Sequence, residues 1–319
     1  MVGPDAFLEG RREALVIVNP AAHNLPKRSR LDEARRWLDE QGWRTEWVET
    51  EGRLQATELA AGAAARGLPL VIVCGGDGSL NDAANGLAGT ETALAMLPAG
   101  TVNIWARETG IPLNTLEAAK AAVMGERRRV DLGKAGERYF LLMAGYGLDG
   151  AIARRVSHGV KRRLGAAAYA IAAVRESLSY RGSVVRLRLD EEEREARVLM
   201  LVAGNTRNYA GLVEITPEAL VDDGLLDVCV YQGRGTLEIV MHVLKTLLRR
   251  HRKSRRVLYR KVRRLEMGWQ TPLPAQLDGD EFEESPAAVT VAPGALWVVV
   301  PAGVRRPLFS RPYPAPRGG

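Results

Sequence analysis

The chain has 319 residues, of which 46% are hydrophobic, enough for two domains with cores of their own and too apolar for a disordered protein. Its formal charge is +7, but eleven lysines and arginines and no acid fall between Lys245 and Arg264, so the basicity is one patch on an otherwise net acidic chain. No apolar run approaches the ~18 residues that cross a bilayer, and no HExxH or Cys/His cluster suggests zinc. Cys74 and Cys229, each within an apolar run, read as buried reduced thiols, and the acid-bearing amino terminus lacks a signal-peptide core, so a cytoplasmic location is expected.

Ala14–Val18 reads as a short strand ending at Asn19–Pro20. Leu31, Ala34, Trp37 and Leu38 recur at helical spacing, and Gly42 closes that helix. Arg44–Val48 is a second strand, Leu54–Arg66 an alanine-rich helix and Leu70–Cys74 a third, fully apolar strand. Gly75, Gly76, Asp77 and Gly78 follow at once, and Ser79 is placed to cap a helix over Leu80–Leu87. Glycines at the mouth of a strand–turn–helix bring bare N–H groups and a helix dipole toward an anion. A carboxylate there repels phosphate unless a divalent cation or an exchanging proton mediates. Gly75–Asn81 therefore reads as a nucleotide-phosphate loop with a built-in metal or acid/base carboxylate, against the plainer alternative of a packed glycine turn. Strand Ala93–Leu97, loop Pro98–Thr101, segment Val102–Glu108 and helix Thr115–Met124 complete an alternating pattern that implies a parallel α/β sheet. Asn19, Thr50, the Gly75 loop and Gly100–Thr101 all fall at strand ends, where such sheets bind ligands.

From about Val130 strands dominate. Arg128–Lys134 and Tyr139–Ala144 read as paired strands, followed by helical patterns over Gly150–Ser157 and Leu164–Leu178 and a basic cluster at Lys161–Arg163. Ser183–Leu189, Ala196–Ala203, Leu225–Val230, Arg256–Met267, Ala275–Asp278, Ala288–Val291 and Leu296–Val300 then suggest a second, mainly antiparallel β domain. The boundaries expected are 12–130, 131–301 and a mobile tail over 302–319.

Gly145–Gly150 matches GxGxxG, but its place after several βα units and the absence of a following acid-bearing strand make it a tight inter-domain turn. Leu220–Asp227 sets carboxylates around a glycine; as spacing it is an Asp-Gly turn, and as chemistry it offers oxygens to Mg²⁺. In Gln276–Asp280, Asp278 and Asp280 flank Gly279, and in an extended chain both would point to one side. The stripe Leu237, Val240, Met241, Leu244, Leu247, Leu248 is expected to face the core, whereas the single-sign run Arg249–Arg256 suits an anionic membrane surface. No nucleic-acid motif accompanies the run, so no nucleic acid is expected as partner.

Together the glycine loop Gly75–Asn81, the loop Leu97–Asn103, Asn19–Pro20, the Gly145–Asp149 turn, Pro217–Asp227 and Gln276–Asp280 resemble, in consistent order, the bacterial diacylglycerol-kinase-like lipid kinases, which share a catalytic domain with NAD and sphingosine kinases. The resemblance implies an α/β domain followed by a β-sandwich domain with ATP in the cleft between them. It implies nucleotide contacts from Asn19, Thr50, Gly75, Gly76, Asp77, Gly78, Ser79, Leu80, Asn81 and Thr101. It also implies a structural Mg²⁺ on the Leu220 and Leu225 carbonyls and the Asp223 carboxylate, with catalytic roles for Asp77 on Mg²⁺ and Asp280 as proton acceptor. Asp280 stands where the family usually has Glu, and Ile104 where many members carry an acid. The activity implied is ATP-dependent phosphorylation of a diacylglycerol-like lipid hydroxyl in phospholipid metabolism. The Lys245–Arg264 patch, read from charge alone, is expected to hold such an enzyme peripherally on an anionic membrane, and a homodimer is compatible with it. NAD phosphorylation and a non-catalytic nucleotide-binding regulator are the alternatives.

Overall fold

The computed structural model describes residues 11–52, 54–155, 175, 177–282, 285–303 and 307–310. The chain divides into two compact units, one reaching to Asp131 and resuming at Pro293, the other Leu132–Ala292. The first unit therefore takes back the carboxyl-terminal residues, which the sequence reading assigns to the β domain up to 301.

In the first unit, β1 (Glu13–Val18), β2 (Arg44–Glu49), β3 (Leu70–Gly75) and β4 (Ala93–Pro98) form a parallel sheet in the order β2-β1-β3-β4. Every residue of β3 and β4 is buried, as continuous apolar runs between two helical layers require. Helix α1 (Arg28–Glu40) packs on α5 (Thr115–Met124), and α2 (Gln55–Ala65) packs on α3 (Asp77–Leu87); the short α4 (Ile104–Thr109) lies between β4 and α5 in sequence. Most expected elements recur within two residues, and α5 has the expected bounds.

The second unit is mainly antiparallel. It takes the end of β5 (Glu126–Ala135), then β6 (Arg138–Phe140), β7 (Met143–Gly147), α6 (Leu148–Arg155), β8 (Ser183–Leu189), β9 (Glu192–Gly204) and the small hairpin β10 (Asn208–Tyr209) and β11 (Val213–Glu214). β12 (Leu226–Gln232), α7 (Thr236–Leu247), β13 (Val257–Val262), β14 (Arg264–Gly268), β15 (Ala275–Leu277), β16 (Asp280–Phe282) and β17 (Ala288–Val300) follow. Strand β9 organises the unit: its first half pairs with β8, and its second half lies between β7 and β12. Phe140, Tyr146, Leu187, Val198, Leu201 and Val228 are among the side chains of its core. Past Pro293, β17 runs in the first unit, where Trp297 and Val298 pair in parallel with Ala93 and Leu94 of β4.

Several expectations change. Tyr139–Ala144 is two strands, because the Asp278 carboxylate takes the Leu141 and Leu142 amides out of the ladder (2.8 and 3.0 Å); the Met143 amide, at the start of β7, donates to it as well (2.8 Å). Arg256–Met267 breaks at Arg263 for the same reason, its amide and that of Arg264 donating to the Asp190 carboxylate (2.8–3.2 Å). The two strands expected over 288–300 are one. The tail is anchored in part: Leu308 and Phe309 are buried, and the Arg128 guanidinium lies 4.5 Å from the Phe309 ring centre. The helix expected over 164–178 and the Lys161–Arg163 cluster fall almost wholly outside the described residues.

The largest change concerns α7. Leu237, Val240, Met241, Leu244, Leu247 and Leu248 are exposed, and the buried positions are Ile239, His242 and Thr246. The buried polar pair has partners that make its burial tolerable: His242 Nε2 meets the Gln232 carbonyl at 2.9 Å, and the Thr246 hydroxyl meets the Tyr231 hydroxyl at 2.9 Å. The apolar stripe is thus turned outward.

Candidate active site

Helix α3 begins at Asp77 with Gly76 as its cap, so Ser79 sits inside the first turn and is not the cap that the sequence suggests. Its hydroxyl instead accepts from Asn19 Nδ2 (2.8 Å), tying the end of β1 to α3, while the Asn19 amide donates to the Cys74 carbonyl (2.9 Å). A side chain at Gly75 would strike Ser79 Cβ at 2.8 Å. The Leu80 amide donates to the Gly76 carbonyl (3.0 Å), so the amides of Asp77, Gly78 and Ser79 lie ahead of the intrahelical ladder at the positive end of the helix dipole. Leu80 and Asn81, counted in the loop by the sequence reading, are each 1% exposed, and their side chains belong to the interior.

The loop after β4 comes against this turn. A Cβ on Gly100 would lie 2.7 Å from Gly76 Cα, so the two backbones approach as only glycines allow. Asn103, in the left-handed region at φ 53°, holds the loop by accepting from the Gly100 amide (2.8 Å) and donating to its carbonyl (2.9 Å). Asn24 Nδ2 donates to the same carbonyl (2.9 Å). Thr101 is exposed at the tip, and Thr50, at the end of β2, is pinned by its amide to the Val18 carbonyl (2.8 Å). Asn19, Gly76, Ser79 and Gly100 are thereby joined by direct contacts. Asn24 escaped the sequence reading, and Asn103 entered it only as the end of the Leu97–Asn103 loop, without a role; an asparagine placed to take the left-handed conformation three residues after a glycine was the available signal for it.

Asp77, expected to organise Mg²⁺, is held by two backbone amides at the start of α4. Its Oδ2 accepts from the Ile104 amide (2.9 Å) and its Oδ1 from the Trp105 amide (3.1 Å), so the carboxylate caps α4. Burial pushes its pKa up, and the two amides pull it partly back. Both oxygens are oriented by the fold, which gives Asp77 a positioning role that links the α3 turn to α4.

In the second unit, Asp278 (φ 49°) and Gly279 (φ 86°) form the two-residue turn between β15 and β16, with Leu277 opposite Asp280. The chain is not extended there, as the same-side reading of Asp278 and Asp280 needs; Asp278 anchors the turn to the 141–143 amides, and Asp280 opens β16. Gln276 holds the turn through the Gly279 amide (2.6 Å) and donates to Asp149 Oδ2 (2.8 Å). Asp149, fully buried, also accepts from the Tyr209 hydroxyl, and burial pushes its pKa up. A side chain at Gly145 would fall 1.6 Å from that carboxylate, and one at Gly150 2.2 Å from the Pro274 backbone. The GxGxxG run is therefore a packing device within the second unit, not an inter-domain turn.

The expected structural Mg²⁺ set does not fit. Asp223 Oδ1 accepts from the Leu225 amide (3.1 Å), and its Oδ2 faces the Lys261 ammonium (3.1 Å). The same ammonium donates to the Glu218 carbonyl (2.9 Å) and lies 3.6 Å from Asp227 Oδ2. The Asp223 and Asp227 carboxylates and the Glu218 carbonyl already surround a cation supplied by the chain, and among the described residues no His/Cys/Asp/Glu group is arranged to hold a metal.

Residues 13–135 match the diacylglycerol kinase catalytic domain, and residues 143–300 match the YegS C-terminal NAD kinase beta sandwich-like domain. A Pseudomonas putida protein named "Probable lipid kinase YegS-like" is 32% identical over 96% of this chain and 100% of its own. A diacylglycerol kinase of Bacillus subtilis is 26% identical over 84% of this chain and 90% of its own. A crystal structure of a diacylglycerol kinase from Bacillus anthracis shares the fold, with a TM-score of 0.76 at 24% identity, covering 91% of this chain and 98% of that one.

Proposed function

This chain belongs to the diacylglycerol-kinase-like lipid kinase family, and on that premise we propose that it transfers the γ-phosphoryl group of ATP to the hydroxyl of a diacylglycerol-like lipid. The observation that carries the reading is the Gly76–Gly100 approach, which brings the turn bearing the unladdered amides of Gly78 and Ser79 against the loop that carries the exposed Thr101. Polyphosphate bound there would be met by N–H groups fixed before it arrives, the main contribution a protein makes to phosphoryl transfer. Asn19 and Ser79 brace the turn, Thr50 lies at a neighbouring strand end, and Asp77 keeps α4 in register with α3.

In the proposed step the acceptor oxygen forms a bond to Pγ as the bond from Pγ to the β,γ-bridging oxygen breaks, and ADP leaves. The hydroxyl proton passes to the Asp280 carboxylate. The support for Asp280 is its place at the end of a turn held by Asp278, Gln276 and Asp149. Incubation with γ-labelled MgATP and a total lipid extract tests the reading. Label in a phosphatidic-acid-like lipid is expected; label in NAD, or ATP bound and left intact, overturns it. Asp280→Asn should abolish transfer while leaving ATP binding in place.

A further inference from the structure

Helix α7 presents an apolar face to solvent, and nothing among the described residues of its unit covers it. Leu237, Leu247 and Leu248 are 75%, 60% and 66% exposed, and Val240, Met241 and Leu244 lie between them on one side of the helix. Leu212, 80% exposed at the tip of the β10–β11 hairpin, is carried beside α7 by contacts from β11. A soluble protein rarely leaves so many large side chains together in water without a partner for them.

Charge identifies that partner. The residues leaving the helix are Arg249, Arg250, Arg252, Lys253, Arg255 and Arg256, all exposed. Arg252 and Arg256 are answered by Glu218 and Glu238, and Arg249 stands 4.0 Å from Glu214. Arg250, Lys253 and Arg255 have no carboxylate partner among the described residues. A second copy of the chain docked through α7 would cover the leucines but not these cations, because Glu238, the single acid on the helix, is already taken by Arg256 (3.0 Å). A surface both apolar and anionic answers both features at once.

We infer that α7 lies in the plane of an anionic bilayer, with its leucine face among the acyl chains and the 249–256 cations on the headgroup phosphates. At 12 residues the helix is about 18 Å long, too short to span and long enough to lie flat with one face immersed. The observations are independent of the kinase reading, although a lipid acceptor would reach a protein docked this way without leaving its membrane.

The test uses the full chain and flotation with vesicles of phosphatidylglycerol and phosphatidylcholine, beside vesicles of phosphatidylcholine alone, without ATP. Leu244→Ser/Leu248→Ser and Arg250→Ala/Lys253→Ala/Arg255→Ala should each lower partition into the anionic vesicles about tenfold or more, and salt should weaken the wild type more than the triple variant. Because Cys74 and Cys229 are buried, with thiol pKa values pushed up to about 12 by desolvation, Leu244→Cys takes an environment-sensitive dye selectively. Its emission should shift to the blue on anionic vesicles. Unchanged partition of both multiple variants, a dye at 244 that stays in water on floated protein, or a blue shift that follows protein concentration without vesicles overturns the inference. Phosphorylation of a detergent-dispersed short-chain diacylglycerol is read separately; its absence with partition intact removes the kinase reading and supports the docking surface.

Discussion

A side chain at Gly100 has no room against Gly76 and Asn103, and that fact governs the phosphate-facing turn. Gly100→Ala must displace one loop, and a shift of about 1 Å in the amides should lower kcat/KM for ATP about a hundredfold, with a smaller change in lipid KM. At the Asp223 turn an ammonium stands where the family resemblance implies a divalent ion. Wild-type Tm should therefore be the same in EDTA and in millimolar Mg²⁺. Lys261→Met leaves Asp223 and Asp227 facing each other uncompensated, which should cost about 3 kcal/mol and make Tm rise on adding Mg²⁺. If EDTA lowers the wild-type Tm, the ammonium is not the cation of that turn. Asp227 itself has its pKa pushed up to about 6, first by burial and against the pull of Tyr259 and Lys261. The folded protein thus holds a proton that the unfolded chain has released between about pH 4 and about 6, so this group's contribution to stability falls as pH rises through that window. Asp227→Asn should flatten the corresponding fall in Tm; an unchanged slope would assign it to another group.

At the scale of elements, side chains that capture backbone amides decide where strands and helices stop. Asp278 and Asp190 each end a strand that composition would have continued, and Asp77 starts α4 from the first residue of α3. Asp77→Asn offers one acceptor where two are needed, leaving the Ile104 or the Trp105 amide unpaired. About 1–2 kcal/mol of stability should be lost in denaturant unfolding, with ATP affinity falling alongside. Loss of transfer with stability and ATP affinity both intact would instead return Asp77 to the role of a metal ligand. None of these captures is visible as periodicity. A carboxylate in a glycine turn reads as chemistry or as an anchor, and only the amides within reach distinguish the two.

The whole molecule is two units, the first of which is discontinuous in sequence. A fragment ending at Asp131 lacks the strand that pairs with β4 and the buried Leu308 and Phe309, so it should show no cooperative thermal transition. A sharp transition in that fragment would show that the carboxyl-terminal strand is dispensable. Local sequence sufficed for the parallel sheet, since runs such as Leu70–Cys74 have no other stable burial, and for the glycine turn and the Pro98–Thr101 loop, since backbone that must bend sharply leaves few residue types open. What it could not supply was the direction in which an amphipathic surface points. The period of α7 is the same whether its leucines face a core or a bilayer, and only the partners of His242 and Thr246 on the neighbouring strand turned that stripe outward. The return of β17 to the first unit and the meeting of Lys261 with Asp223 were likewise decided in three dimensions, because each joins residues too far apart in the chain for any local pattern to record them.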